Sequence, residues 1–107
     1  EDDMEGMVEY GLSVVNNEPE EALKIYYEVM ELYEEDKRKY PLPAEIIDLS
    51  IAIVLNIAKV DIQQAINLLD IIEVEEFRIE TIDNLIEKTD DEKYKIVLEK
   101  MKEEGLE

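Results

Sequence analysis

Carboxylates are the one abundant reactive group in this chain: 30 aspartates and glutamates stand against 11 lysines and arginines, with no histidine and no cysteine. Carboxylates can do acid–base work when burial or a like charge drives the pKa values of a pair apart. No two acids here are bracketed by an apolar stretch that would do so. They can also hold metals. A calcium loop needs acids at alternate positions around a glycine, and the runs Glu1-Asp2-Asp3 and Asp90-Asp91-Glu92 have neither feature. Helical two-metal sites pair glutamates with Glu-x-x-His, which a histidine-free chain cannot supply. Thiolate chemistry and disulfides are ruled out by composition. The expectation is a protein with no catalytic residues, no cofactor and no metal.

What remains for carboxylates is recognition. Glu76, Glu80, Asp83 and Glu87 fall at i, i+4, i+7 and i+11, one stripe of a helix. Like charges at these spacings repel by a few tenths of a kcal/mol per pair. The stripe is therefore either fully solvated, the ordinary outcome, or met by a basic partner. Glu28, Glu31 and Glu35 form a similar ridge on an earlier helix. Double-stranded DNA carries one charge per ~1.7 Å of axis, so two such ridges can also imitate a nucleic-acid backbone. Tyr26, Tyr27, Tyr33 and Tyr40 gather around the second helix and its exit. Tyrosine joins a large apolar area to a hydroxyl and is favoured at interfaces. Tyr26 reads as packing, whereas Tyr27, Tyr33 and Tyr40 read as interface residues.

The net charge of −19 repels nucleic acid and anionic lipid and attracts basic proteins, although solubility is the commoner reason for an acidic surface. It is unevenly placed. Residues 1–36 carry −12, residues 37–60 carry +2, residues 61–87 carry −7 and residues 88–107 carry −2. The basic cluster Lys37-Arg38-Lys39 follows Glu34-Glu35-Asp36, where cations suit a helix C-terminus. Glutamate outnumbers aspartate 21 to 9, and isoleucine occurs 14 times, a composition similar to that of thermophile proteins. No signal peptide or lipidation motif is visible, so the expected location is cytoplasmic. The chain opens at Glu1 rather than a methionine, and an excerpt of a longer protein is the simpler expectation.

The elements that must position these residues are helical. Residues 44–60, AEIIDLSIAIVLNIAKV, are apolar on every side of their centre apart from Ser50 and Asn56. A helix apolar all round is buried or in a membrane, and a span needs ~20 apolar residues. This run is shorter and is bracketed by Glu45, Asp48 and Lys59, so it reads as the central helix of one soluble domain. Ahead of it, residues 4–16 carry Met4, Met7, Val8, Leu12 and Val15 at helical spacing. Gly6 and Gly11 each cost a helix about 1 kcal/mol relative to alanine, and a close helix contact would account for Gly11. A second helix, apolar on two sides, starts after Asn17 as N-cap, with Glu20 completing a capping box and Pro19 in its first turn, and runs to about Asp36. Pro41 and Pro43 break the chain. Asp61 caps a fourth helix over 62–72. A fifth covers 74–88 with Val74, Phe77, Ile82, Leu85 and Ile86 inward. A sixth covers 91–104, capped by Thr89 with Glu92, burying Tyr94, Val97, Leu98 and Met101 and stopped by Gly105.

Six helices in three antiparallel hairpins result: 3–36, 44–72 and 74–104. In the second helices, Ala22-Leu23 with Tyr26 and Val29 and Ala65-Ile66 with Leu69 and Ile72 resemble the second helix of a tetratricopeptide (TPR) repeat. There a small residue lets the paired helices approach. Tyr94 takes the small residue's place in the third hairpin, and the offsets between Glu18, Asp61 and Asp90 are 43 and 29 residues against a family period of 34. The resemblance implies a TPR-like right-handed array with a protein- or peptide-binding surface and no catalysis; a compact orthogonal bundle fits the same pattern. The expected function is an acidic, non-catalytic, all-α interaction module binding a basic protein, with no direct nucleic-acid binding and no membrane. The alternatives are a nucleic-acid mimic that occludes a DNA- or RNA-binding protein, and a subunit of a homo-oligomer.

Overall fold

In the computed structural model, which describes residues 3–36 and 44–106, six α-helices follow one another. They are α1 (Asp3–Val14), α2 (Pro19–Asp36), α3 (Ala44–Ala58), α4 (Ile62–Asn67), α5 (Glu75–Lys88) and α6 (Glu92–Leu106), with a 3₁₀ turn, Leu69–Ile71, between α4 and α5. No strand occurs among the described residues. The protein is all-α, and its helices pair as expected: α1 on α2, α3 on α4, α5 on α6.

α3 is the hub, because it touches α1, α2, α4 and α5. Its residues Ile46, Leu49, Ile53, Val54 and Ile57 are buried. Burying five such side chains is worth on the order of 10 kcal/mol against conformational entropy. The two polar residues in this run are buried and internally satisfied. Ser50 Oγ donates to the Ile47 carbonyl at 2.7 Å. Asn56 Nδ2 donates to the Ala52 carbonyl at 2.8 Å, and its Oδ1 accepts from Lys59 Nζ at 3.2 Å. A polar side chain that bonds its own preceding turn costs little to bury.

Gly11 sits where α1 crosses the hub. A Cβ there would lie 3.1 and 3.3 Å from the two methyl carbons of Leu49 and 3.5 Å from Ile25 Cγ2. Absence of a side chain thus sets the approach of α1 to α2 and α3. Gly6, one and a half turns earlier, has nothing within 4 Å of such a Cβ and has ordinary negative φ. Gly6→Ala should therefore raise stability by about 0.5–1 kcal/mol, read as an upward shift of the denaturation midpoint at unchanged slope. Ala22 and Ala65 are completely buried in α2 and α4, as small residues between paired helices should be.

Several local expectations are corrected. Pro19 opens α2, so the N-cap position belongs to Glu18, whose carbonyl accepts from Ala22, rather than to Asn17. Asp61 does cap α4, accepting from the Gln64 N–H at 3.2 Å. At α6 the capping side chain is Asp91, which accepts from the Lys93 N–H at 3.0 Å; Thr89 instead closes α5. Gly105 does not stop α6, which continues to Leu106.

The largest departure is α4, which ends at Asn67 instead of running to residue 72. Leu69, Ile71 and Ile72 are all buried. Ile71 and Ile72 are adjacent, so no single helical stripe would bury both toward one neighbour. After the 3₁₀ turn the chain leaves the helix with Ile72 extended, and side chains from elsewhere take the carbonyls of Ile71 and Ile72. Tyr26 Oη of α2 donates to the Ile71 carbonyl at 2.7 Å, and Arg78 Nε of α5 donates to the Ile72 carbonyl at 3.1 Å. The hairpin α5–α6 is thus tied to α2 through one short segment.

Tyr26 is accordingly a core residue, 3% exposed. Burial pushes its hydroxyl pKa well above the ordinary value, with Glu73 and then Tyr27 and Asp70 adding to the shift. A group with a raised folded pKa stabilises the fold below its unfolded pKa, about 10 for tyrosine, and that contribution is lost as pH rises beyond it. Tyr26→Phe should cost about 1–2 kcal/mol at neutral pH by stranding the Ile71 carbonyl. It should also flatten the fall of stability above about pH 10, measured by urea melts across the alkaline range.

Candidate functional site

α2 carries the surface that best combines charge with apolar area. Its inward side is Ala22, Ile25, Tyr26 and Val29, all buried, because α2 packs on both α1 and α3. The helical period then leaves Glu28, Glu31 and Glu35 outward, and all three are exposed. None of them forms an ion pair among the described residues. Two exposed apolar side chains flank the ridge, Tyr27 at 50% and Leu32 at 37%. Tyr27 is held by an edge-on contact with the buried Tyr26 ring, centroids 6.0 Å apart, so its orientation is set by the core.

The other sequence-selected residues divide. Tyr33 is half-buried and already engaged within the chain. Tyr40 lies outside the described residues, as does the basic cluster 37–39. On α5, Glu76, Glu80 and Glu87 are exposed. Asp83 is not free: its Oδ1 accepts from Lys102 Nζ of α6 at 2.6 Å, with both side chains substantially exposed. Such a pair contributes at most about 1 kcal/mol, but it neutralises the middle of the α5 ridge. The two ridges belong to different hairpins, since α2 pairs with α1, and α5 with α6.

Pattern reading missed two features. One is a cleft of about 260 Å³ where α1 meets the start of α3. Met4, Val8 and Ile46 form its floor and Glu5, Glu9 and Glu45 its rim. An apolar floor beneath carboxylates suits a lysine or arginine side chain, whose stem is apolar and whose head is charged. These residues belong to separate helices, so nothing in the linear pattern joins them. The other is the outer face of α6. Val97, expected inside, is 41% exposed and Ile96 is 61% exposed. The inward arc of α6 is Tyr94, Leu98 and Met101, and Val97 lies one residue off it. Phe77 of α5 is likewise 38% exposed. Thr81, one turn on, takes the inward position, its Oγ1 donating to the Phe77 carbonyl at 2.9 Å.

Among the described residues, no group of three or more acids is placed to hold a metal ion, and no helix is long and apolar enough to cross a membrane. Comparison with protein-family models, with curated proteins and with solved structures gave no match to this chain.

Proposed function

We propose that this protein is a non-catalytic interaction module that binds a basic protein through the outer face of α2, in the manner the TPR-like hairpins imply. The observation that carries the reading is the set Tyr27, Glu28, Glu31, Leu32 and Glu35. It brings three carboxylates without an ion-pair partner among the described residues and two exposed apolar side chains together on one helix. Interfaces draw their affinity from partly apolar anchors and their selectivity from complementary charge, and this face offers both. The cleft rimmed by Glu5, Glu9 and Glu45 supplies a second place for a cationic side chain of the same partner.

Spacing ranks the nucleic-acid mimic second. From Glu28 to Glu35 the helix rises about 10.5 Å at 1.5 Å per residue, giving roughly 5 Å between successive charges. One strand of a duplex presents a charge every ~3.4 Å. The α5 ridge has a similar spacing and loses Asp83 to Lys102. The separating experiment is capture on immobilised protein, eluted in parallel with DNA or RNA and with a salt step. The module reading expects a basic protein that stays through the nucleic-acid wash and leaves with salt. Release of the partner by nucleic acid favours the mimic, and retention of no specific protein removes both readings.

A further inference from the structure

The hub helix is apolar almost all round, yet one of its sides is not fully covered. Asp48, Ile51, Ala52 and Leu55 stand at i, i+3, i+4 and i+7, one stripe of α3. Asp48 is exposed and the three apolar residues are half-buried, opposite the buried stripe of Ile46, Leu49, Ile53 and Ile57. Covering aliphatic side chains left part-open to water is favourable, at about 25 cal/mol per Å².

α1 lies alongside. Met4 and Val8 meet Ile46 at the cleft, and Gly11 meets Leu49. The contacts advance together along both helices, so the two run parallel. On α1 the row beside the cleft is Glu5, Glu9 and Leu12, at i, i+4 and i+7, with Leu12 half-buried. On α3 Glu45 lines the cleft, and its row continues through Asp48 to Ala52 and Leu55 by helical spacing. Both rows are therefore acidic over the cleft and aliphatic beyond it.

Every charged residue of α1 and α3 is an acid, and Glu5, Glu9, Glu45 and Asp48 form no ion pair among the described residues. The two helix N-termini at this end contribute only about +0.5 charge each, which four carboxylates outweigh. Lys59, the first base after α3, donates to Asn56. It lies about 16 Å beyond Asp48 along the helix line, twice the Debye length of about 8 Å at physiological salt. We infer that the groove between α1 and α3 binds an extended basic segment of the partner, with a lysine or arginine over the cleft and a large aliphatic side chain on Ile51 and Leu55. Asp48 and Leu55 are about 10.5 Å apart along the helix. An extended chain covers that distance in about three residues at ~3.3 Å each, so the recognised pattern is a basic and a large aliphatic residue three positions apart. The inference rests on the reading of the cleft as a place for a cationic side chain and does not require the α2 face.

The probe is a blocked synthetic peptide with two central arginines, each separated by two serines from a terminal leucine, so that it offers the pattern in either direction. Its binding to the full chain is followed by titration calorimetry in 0.15 M salt. A version with serine in place of both leucines tests the apolar half without disturbing the core, and should bind at least about tenfold more weakly. Glu5→Gln with Glu9→Gln and Glu45→Gln should weaken the parent peptide by about the same factor. Glu28→Gln with Glu31→Gln and Glu35→Gln removes as much charge from α2 and should leave its binding unchanged. All six residues are exposed, so circular dichroism should show both variants folded. No binding at millimolar peptide overturns the inference, as does equal binding of the leucine-free peptide. So does a groove variant that binds like wild type, or a loss as large in the α2 variant as in the groove variant. The reading of α2 as a partner site is tested separately by capture and stands or falls on that result.

Discussion

Leu49→Ala should lower stability by about 2–5 kcal/mol, a fall of roughly 10–30 °C in midpoint for a domain of this size. Leu49 is completely buried in the hub helix, and its two methyl carbons fill the space that Gly11 leaves open. Typical domains hold only about 5–15 kcal/mol in total, so this one change consumes a large share. The same geometry predicts a coupling. Gly11→Ala in the wild-type background gains about 1 kcal/mol of helix propensity but sets a carbon 3.1 Å from Leu49, and the crowding offsets the gain. In the Leu49→Ala background that obstacle is gone and the new methyl fills part of the cavity. Gly11→Ala should there be stabilising by about 1 kcal/mol or more, with a coupling energy of about 1–2 kcal/mol across the double-mutant cycle. Additive effects, measured by urea denaturation, would show that α1 does not cross the hub at Gly11.

The second large effect is functional. Glu28→Lys, Glu31→Lys and Glu35→Lys together should reduce affinity for a captured basic partner by about 30-fold to 1,000-fold, or roughly 2–4 kcal/mol. The three side chains are exposed, and lysine and glutamate have similar helix propensity, so stability should change little. Reversal of three acids moves the net charge from −19 to −13. The control is an equal charge change on α6, Glu99→Lys with Glu103→Lys and Glu104→Lys, all exposed. If binding depends on overall charge alone, both triple variants lose affinity equally. If it depends on the α2 face, only the first does. The loss should be chiefly in dissociation for residues beside Tyr27 and Leu32, and in association for those at the rim.

The hub, the pairing of the helices and the solvent side of α2 were legible in the pattern of residues. A run with apolar residues on all sides can only be a core helix at this length, and three glutamates at helical spacing opposite a buried stripe must point outward. The contact at Gly11 was also legible, because an unexplained glycine in a helix asks for a reason. The end of α4 was not. Its apolar period continues through Ile72, and the bonds that hold the segment after α4 come from Tyr26 and Arg78, distant in sequence. The pairing of Asp83 with Lys102 was hidden for the same reason, since it depends on how α6 lies along α5. Val97 was misplaced because in a narrow apolar arc a one-residue offset is about 100° of rotation. The cleft of Glu5, Glu9 and Glu45 needs two helices to exist at all.

Binding through the outer face of α2 is tested most directly by an NMR titration of isotope-labelled protein with the basic partner recovered by capture. At 12.5 kDa every described amide is within reach of a two-dimensional spectrum. Shift changes should concentrate on the outer face of α2, at Tyr27, Glu28, Glu31, Leu32 and Glu35, with a second group at Glu5, Glu9 and Glu45. Changes confined to α5 or α4, with the α2 face unmoved, would contradict it.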